Sequence, residues 1–207
     1  MKPDLIDTLV RDLKPVKPAG RQASLRLLIT CLLATLLFAW LMRGNRMISG
    51  DPSQTVWSWL KLLPFALGAI ACMTLATDQT IPGKPSRPGP HITLTLAILL
   101  LLGFTAAGFT NPDAQVLIPS AWGCVRSIIT FAILPLTLIL WFASQRAATQ
   151  PALAGALAGA AAGLLGALAY GMSCRIDGLA FIGVWYTVAI LVTTTLGYLL
   201  GARLLRW

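Results

Sequence analysis

Six runs of about 20 mostly apolar residues leave this chain few folds to adopt, because each is long enough to cross the ~30 Å hydrocarbon core of a bilayer. They cover residues 25–42, 57–77, 91–109, 122–143, 151–172 and 179–202. In lipid every backbone amide must find its partner within the protein, so each run is expected to be helical. Composition points the same way. Of 207 residues, 57% are hydrophobic and 11% charged, against about 25% charged in a soluble domain. A soluble core of this size cannot hide so much apolar surface. The expected fold is all-α: a polytopic six-helix transmembrane bundle over residues 24–207, preceded by a cytoplasmic segment, residues 1–23. The first run lacks a small-residue cleavage site and stops at Arg43, which reads as a retained span rather than a signal peptide.

The net charge of +9 comes from sixteen Lys and Arg against seven acids, all Asp. A nucleic-acid binder carries such charge as a basic stripe on a polar surface. Here the cations sit in short connections between apolar runs, which is a topology signal and gives no direct nucleic-acid partner. With the amino terminus inside, eleven cations fall on the cytoplasmic side: Lys2, Arg11, Lys14, Lys17, Arg21, Arg26, Lys84, Arg87, Arg146, Arg203 and Arg206. Four fall outside: Arg43, Arg46, Arg126 and Arg175. Both termini are therefore expected in the cytoplasm. Lys61 and Arg126 lie near the outer boundary, within snorkelling reach of it.

Every connection is too short for an extramembrane catalytic domain. No run holds a central Asp, Glu or His, Glu is absent, and the single His91 starts the third run. General acid–base catalysis and proton-coupled transport lack their usual apparatus, so the chain is not expected to be an enzyme. A small transporter or permease subunit is the alternative, with Pro64 and Pro135 as helix breaks, but no polar lining lies between them. A membrane thiol-redox protein is another, with Cys31 and Cys72 as a second thiol pair at the opposite face.

The amino-terminal tail, MKPDLIDTLVRDLKPV, is amphipathic. At about 100° per residue Leu5, Ile6, Leu9, Val10, Leu13 and Val16 share one arc, with Asp4, Asp7, Thr8, Arg11 and Lys14 opposite and Asp12 at its edge. About 12 residues do not make a stable helix alone in water. It folds when its apolar face finds a groove in a partner, or it lies on the membrane surface, where its three Asp are unfavourable.

Four cysteines occur, at 31, 72, 124 and 174, without zinc-type spacing. Cys31 and Cys72 read as small apolar side chains. Cys124 starts the fourth run and Cys174 follows the fifth, so both belong to the outer side, each near a cation, Arg126 and Arg175. A nearby cation favours the reactive, metal-binding thiolate, and an outer compartment lets disulfides persist. A structural disulfide, two unrelated thiols, and a sensor that oxidises or binds a transient thiophilic metal all fit. No resident cofactor is expected.

In the fifth run Gly155, Gly159 and Gly163 recur at four-residue steps beside Ala152, Ala156 and Ala160. Such rows let helix backbones approach closely in lipid, either inside the bundle or between subunits of a homo-oligomer.

Taken in order, DLIDTLVRDLKPV, WGCVRSI at Cys124, the small-residue helix into AYGMSC at Cys174, FIGVWY from Phe181 and the closing GARLLRW resemble the NrsF family of bacterial membrane proteins, negative regulators of sigma F. Cys31 and Cys72 are not part of that pattern. The resemblance implies a membrane anti-sigma factor that holds an extracytoplasmic-function sigma factor at the inner membrane. It also implies a response to heavy metals and oxidants through the two shared cysteines, Cys124 and Cys174. The tail, with Asp4, Leu5, Ile6, Asp7, Leu9 and Leu13, would then be the sigma-binding element.

Overall fold

The computed structural model describes residues 21–43, 59–81, 88–110, 121–146, 148–172 and 178–205. Those residues form six helices: α1 (Arg21–Arg43), α2 (Leu63–Asp78), α3 (Pro88–Phe109), α4 (Ala121–Ser144), α5 (Pro151–Gly171) and α6 (Leu179–Leu204). Among the described residues there is no strand. Five helices are long and apolar enough to cross a membrane, and α2, at 16 residues, is shorter. The amphipathic amino-terminal helix expected from the sequence lies outside the described residues.

Each expected run has a helix within it, and the ends differ for local reasons. The second run was expected from residue 57 with a kink at Pro64. Instead Lys61 and Leu62 form a turn, and α2 starts at Leu63 with Pro64 in its first turn. Proline has no N–H to donate and its fixed φ suits that position, so it opens the helix rather than bending it. Pro88 likewise opens α3 three residues ahead of His91. Pro135 is buried inside α4, which runs unbroken from Ala121 to Ser144. Pro135 therefore does not break α4, whereas the 57–77 run is interrupted at Lys61 and Leu62, just ahead of Pro64, with Trp59 and Leu60 helical before the turn. Ser24 lies inside α1, and its hydroxyl meets Thr77 Oγ1 at the end of α2, 3.0 Å away. Lys61, just ahead of α2, is buried at 8% exposure.

Successive helices run in opposite directions. The start of α1 meets the end of α2 through Ser24 and Thr77. The approach to α5 is fastened to the same end, where Thr149 N–H donates to the Gln79 carbonyl at 3.1 Å. Gly201, near the end of α6, packs on Gly155, near the start of α5. These contacts define one end of the bundle, called here the tail end, where α1 begins and α6 finishes. At the far end, the last turn of α3 (Gly108) meets the start of α6 (Ala180).

Helix α5 is the hub: it packs against α1, α2, α4 and α6. Its glycine row is used inside the chain, against α6. A Cβ on Gly155 would lie 2.6 Å from Gly201 Cα, and one on Gly197 would lie 2.7 Å from Gly159 Cα. A Cβ on Gly163 would strike the Thr193 hydroxyl. With no hydrophobic drive between helices in lipid, such backbone approach supplies the van der Waals contact that holds them. The row expected to serve either a bundle or a homo-oligomer is thus occupied by α6, and a second copy cannot use it in this arrangement. On another face, Gly166 lets α5 approach α4, where a Cβ would lie 2.6 Å from the Ile128 carbonyl oxygen.

The outward faces of α1, α3 and α6 are lined by exposed Leu, Ile and Trp, including Leu33, Trp40, Leu99, Leu102, Leu191 and Leu199. A lipid solvent is the environment that suits them. Inside, Phe65 of α2 is fully buried and packs edge-on to Tyr186 of α6, ring centroids 5.5 Å apart. Phe65→Ala is expected to destabilise the bundle by about 3 kcal/mol, at the lower edge of the range for buried Phe. The reason is that lipid, unlike water, already solvates the ring in the unfolded reference. Thermal unfolding of the detergent-solubilised protein measures it.

A buried thiol and an aromatic contact chain at the far end

Cys124 lies in the first turn of α4, on the face formed by Ala121, Cys124, Val125, Ile128, Phe131 and Ala132. That three- and four-residue spacing is the inward stripe of a helix. Tyr170 lies in the last turn of α5, where Gly166, one turn earlier, has brought the two helices together. Its hydroxyl donates a hydrogen bond to Cys124 Sγ at 3.0 Å. Both side chains are buried, Cys124 at 3% and Tyr170 at 5% exposure. A buried tyrosine must satisfy its hydroxyl, and sulfur, a weak acceptor, serves here.

Aromatic rings surround the pair. Tyr170 lies 6.5 Å from Phe131 of α4 and 5.9 Å, edge-on, from Tyr186 of α6. Phe131 in turn meets Phe38 of α1 edge-on at 5.8 Å. Near the same end, the exposed Trp122 packs against Trp185 of α6 at 5.5 Å, a pairing that suits the headgroup level of a membrane. Leu62 closes the α2 side, its Cδ2 lying 2.5 Å from where a Cβ on Gly171 would sit.

Of the residues singled out from sequence, Cys124 is thus buried and hydrogen-bonded. Arg126 is exposed. Two residues turn a helix by about 200°, so its side chain leaves α4 on a different face from the thiol. Cys174 and Arg175 lie outside the described residues, in the connection of residues 173–177 between α5 and α6. Asp4, Leu5, Ile6, Asp7, Leu9 and Leu13 also lie outside them. Cys31 and Cys72 are buried, at 0% and 3% exposure, on α1 and α2. Cys31 is two turns from Ser24 and Cys72 five residues before Thr77, so both belong to the tail half, away from Cys124. Among the described residues no three His, Cys, Asp or Glu side chains converge on a point that could hold a metal ion. The chemistry available is that of a thiol: a soft metal ligand or nucleophile.

Tyr170, Tyr186 and Phe131 were not picked out from sequence. The available signal was a tyrosine in an otherwise apolar helix, one turn before a cysteine, since such a hydroxyl needs a partner in lipid. Its partner is 46 residues away.

The family described as negative regulator of sigma F, NrsF, matches residues 9–207 of the chain. The chain belongs to this family. NrsF relatives agree over long stretches. The anti-sigma-F factor NrsF of Caulobacter vibrioides (strain NA1000 / CB15N) is 27% identical over 213 residues, covering 99% of this chain and 98% of that protein. The probable anti-sigma-F factor NrsF of Azospira oryzae (strain ATCC BAA-33 / DSM 13638 / PS) is 35% identical over 159 residues, covering 72% of each. No solved structure matches the chain. The NrsF match begins at residue 9, so it takes in Leu9 and Leu13 of the tail, Cys124 and Cys174, and every helix.

Proposed function

We propose that this chain is a membrane-bound anti-sigma factor that holds an extracytoplasmic-function sigma factor at the bacterial inner membrane. The observation that carries the reading is the NrsF match over residues 9–207, together with a relative of nearly equal length named an anti-sigma-F factor. In this reading all six helices span the bilayer and the tail end faces the cytoplasm, in accord with the distribution of Lys and Arg. The 16-residue α2 rises only about 24 Å and needs its flanking turns to cross. Residues 1–23 form the sigma-binding segment. Leu5, Ile6, Leu9 and Leu13 enter an apolar groove on the sigma factor, while Asp4 and Asp7 meet basic groups at its rim.

Cys124 and Cys174 form the input. Their oxidation, or capture of a thiophilic metal ion, shifts α4 against α5, and the tail loosens its hold on the sigma factor. The burial of Cys124 at the α4–α5 contact supports this, because nothing can be bonded to that sulfur without moving a neighbour. Arg126, exposed on α4, and Arg175 are the cations proposed to favour the thiolate form of the two cysteines through the local potential rather than by direct contact.

A reporter for the sigma-dependent promoter tests the reading. Removing the gene is expected to raise expression constitutively, and cadmium or peroxide to raise it in the wild type. A Cys124→Ser, Cys174→Ser double variant is expected to repress normally and to respond at least tenfold less. Normal induction in that variant would exclude the thiols as the input. Unchanged expression on deletion would exclude the anti-sigma role itself.

A further inference from the structure

At the tail end two guanidinium groups from different helices border one seam. Phe38 of α1 meets Phe131 of α4 edge-on, which sets these residues at one level and marks the sides on which the two helices face each other. The helices run in opposite directions, so the way to the tail end is backwards along α1 and forwards along α4. Phe142 lies 11 residues beyond Phe131, about three turns and about 16.5 Å, on the same side of α4. Arg26 lies 12 residues before Phe38, about 18 Å, so Arg26 and Phe142 stand within about 1.5 Å of one level. Arg146 brings its guanidinium to 4.2 Å from the centre of the Phe142 ring, and so sits on the α1 side of α4. Arg26 is a third of a turn round α1 from Phe38, exposed at its lipid-facing edge. We propose that Arg26 and Arg146 hold the phosphate of an anionic phospholipid at the α1–α4 seam, at the membrane surface of the tail end. The proposal rests on the reading that the helices span a bilayer, and on nothing about the thiols or the sigma factor.

A guanidinium suits this ligand, because its planar fork gives two parallel N–H bonds to phosphate oxygens. Basic pockets between spanning helices bind anionic headgroups. The surface beneath the two cations suits acyl chains. Leu33 and Leu37 follow Arg26 at helical spacing on its own face of α1, and they are 61% and 58% exposed. Trp141, beside Phe142 on α4, is 66% exposed. An indole at headgroup depth turns its N–H to the polar layer and its ring to the apolar one. A free anion would use the two charges and leave this apolar strip unused, so the occupant is a lipid. Its phosphate also offsets the repulsion between two like charges on neighbouring helices, and in doing so fastens the start of α1 to the end of α4. Arg203, at the same end of the bundle, stands elsewhere. Trp122 is two and a half turns before Phe131, so it leaves α4 on the opposite flank, where it packs on Trp185 of α6. Helices α1 and α6 therefore flank α4 on opposite sides, and Arg203, exposed in the last turn of α6, lies outside the seam.

The test uses the full-length protein in an uncharged detergent, with one lipid added at a time and the lipid retained read by native mass spectrometry. Dioleoyl phosphatidylglycerol is the probe, dioleoyl phosphatidylcholine the neutral lipid and inorganic phosphate the free anion. The wild type is expected to retain phosphatidylglycerol at least about fivefold better than phosphatidylcholine, and to keep it in excess inorganic phosphate. Arg26→Gln and Arg146→Gln are each expected to lower that retention about fivefold, the effect of one cation near the membrane surface, and Arg203→Gln less than about twofold. Arg26→Gln, a change at an exposed position, decides the matter if Arg146→Gln, which uncovers the Phe142 ring, does not fold. Equal retention of the two lipids by the wild type, full retention in Arg26→Gln, or an equal loss in Arg203→Gln overturns the site in favour of charge spread over the whole rim. Displacement of the lipid by inorganic phosphate makes it a free-anion site and overturns the lipid assignment. Each of these, in a protein that still floats with vesicles, leaves the spanning reading intact. A protein that does not float removes that reading, and the proposal with it.

Discussion

A Gly159→Val chain is expected not to accumulate as a folded bundle. On Gly159 a Cβ strikes the Thr193 carbonyl oxygen and lies 3.0 Å from Gly197 Cα. Both obstacles are backbone, so no rotamer change relieves them, and valine adds two methyl groups beyond the Cβ. Helices α5 and α6 must separate, and the neighbouring close approaches at Gly155, Gly197 and Gly201 open with them. Overpacking a core typically costs 1–3 kcal/mol. Against rigid backbone, and across the hub helix, about 3 kcal/mol or more is expected. The measurement is the yield of monodisperse detergent-solubilised protein and its thermal midpoint. Gly103→Val and Gly123→Val serve as controls, since no atom lies within 4 Å of either added Cβ. Surface changes of that kind stay within about 0.5 kcal/mol. If Gly159→Val proved as stable as those controls, the α5–α6 packing described here would be wrong.

Leu9→Asp is expected to weaken sigma binding by at least about 100-fold. Leu9 lies at the middle of the apolar arc between Leu5 and Leu13, so in a docked helix it is the residue most removed from water. Losing its burial removes about 1.5–3 kcal/mol. Desolvating a carboxylate in its place adds a further penalty large enough to prevent docking in the same pose. The readout is retention of the sigma factor by full-length protein in nanodiscs. Thr8→Ala, on the polar side, is expected to change retention less than twofold. Intact retention in Leu9→Asp would exclude the docked-helix reading. The membrane-surface alternative is separated by vesicles alone. In that case Leu9→Asp would free the tail from lipid while leaving sigma retention unaltered.

Helix existence was legible in the sequence because hydrophobic length is a local property. Each expected run contains one of α1 to α6, and the disagreements are at ends. Pro64 shows why. Read along the chain, a proline inside a 21-residue apolar run (57–77) is equally a kink or a start. Whether the residues before it continue the helix depends on what covers Lys61 and Leu62. Leu62 is buried against the end of α5 near Gly171, a contact with a helix more than a hundred residues away.

The site was half legible. Cys124 stood out by its place at a helix start, and its family kinship rests on the motif around it. Its environment was not legible. Arg126, two residues away, seemed the natural partner of the thiol, yet a helix turns by about 100° per residue and carries that guanidinium to an exposed face. Tyr170, 46 residues away, supplies the hydrogen bond instead.

The sequence alone determined an all-helical chain of membrane-length apolar segments in the NrsF family, because lipid dictates helix from composition and length. It also determined that Gly155, Gly159 and Gly163 form a close-approach face. Only the tertiary structure decided what that face approaches: α6, through Thr193, Gly197 and Gly201, rather than another subunit. Small residues fix how near two helices come without fixing which two. In the same way only the assembled bundle put Tyr170 on Cys124 and ran a line of rings from that sulfur to α1. Side-chain contacts across helices depend on rotation and depth, and no local pattern encodes these.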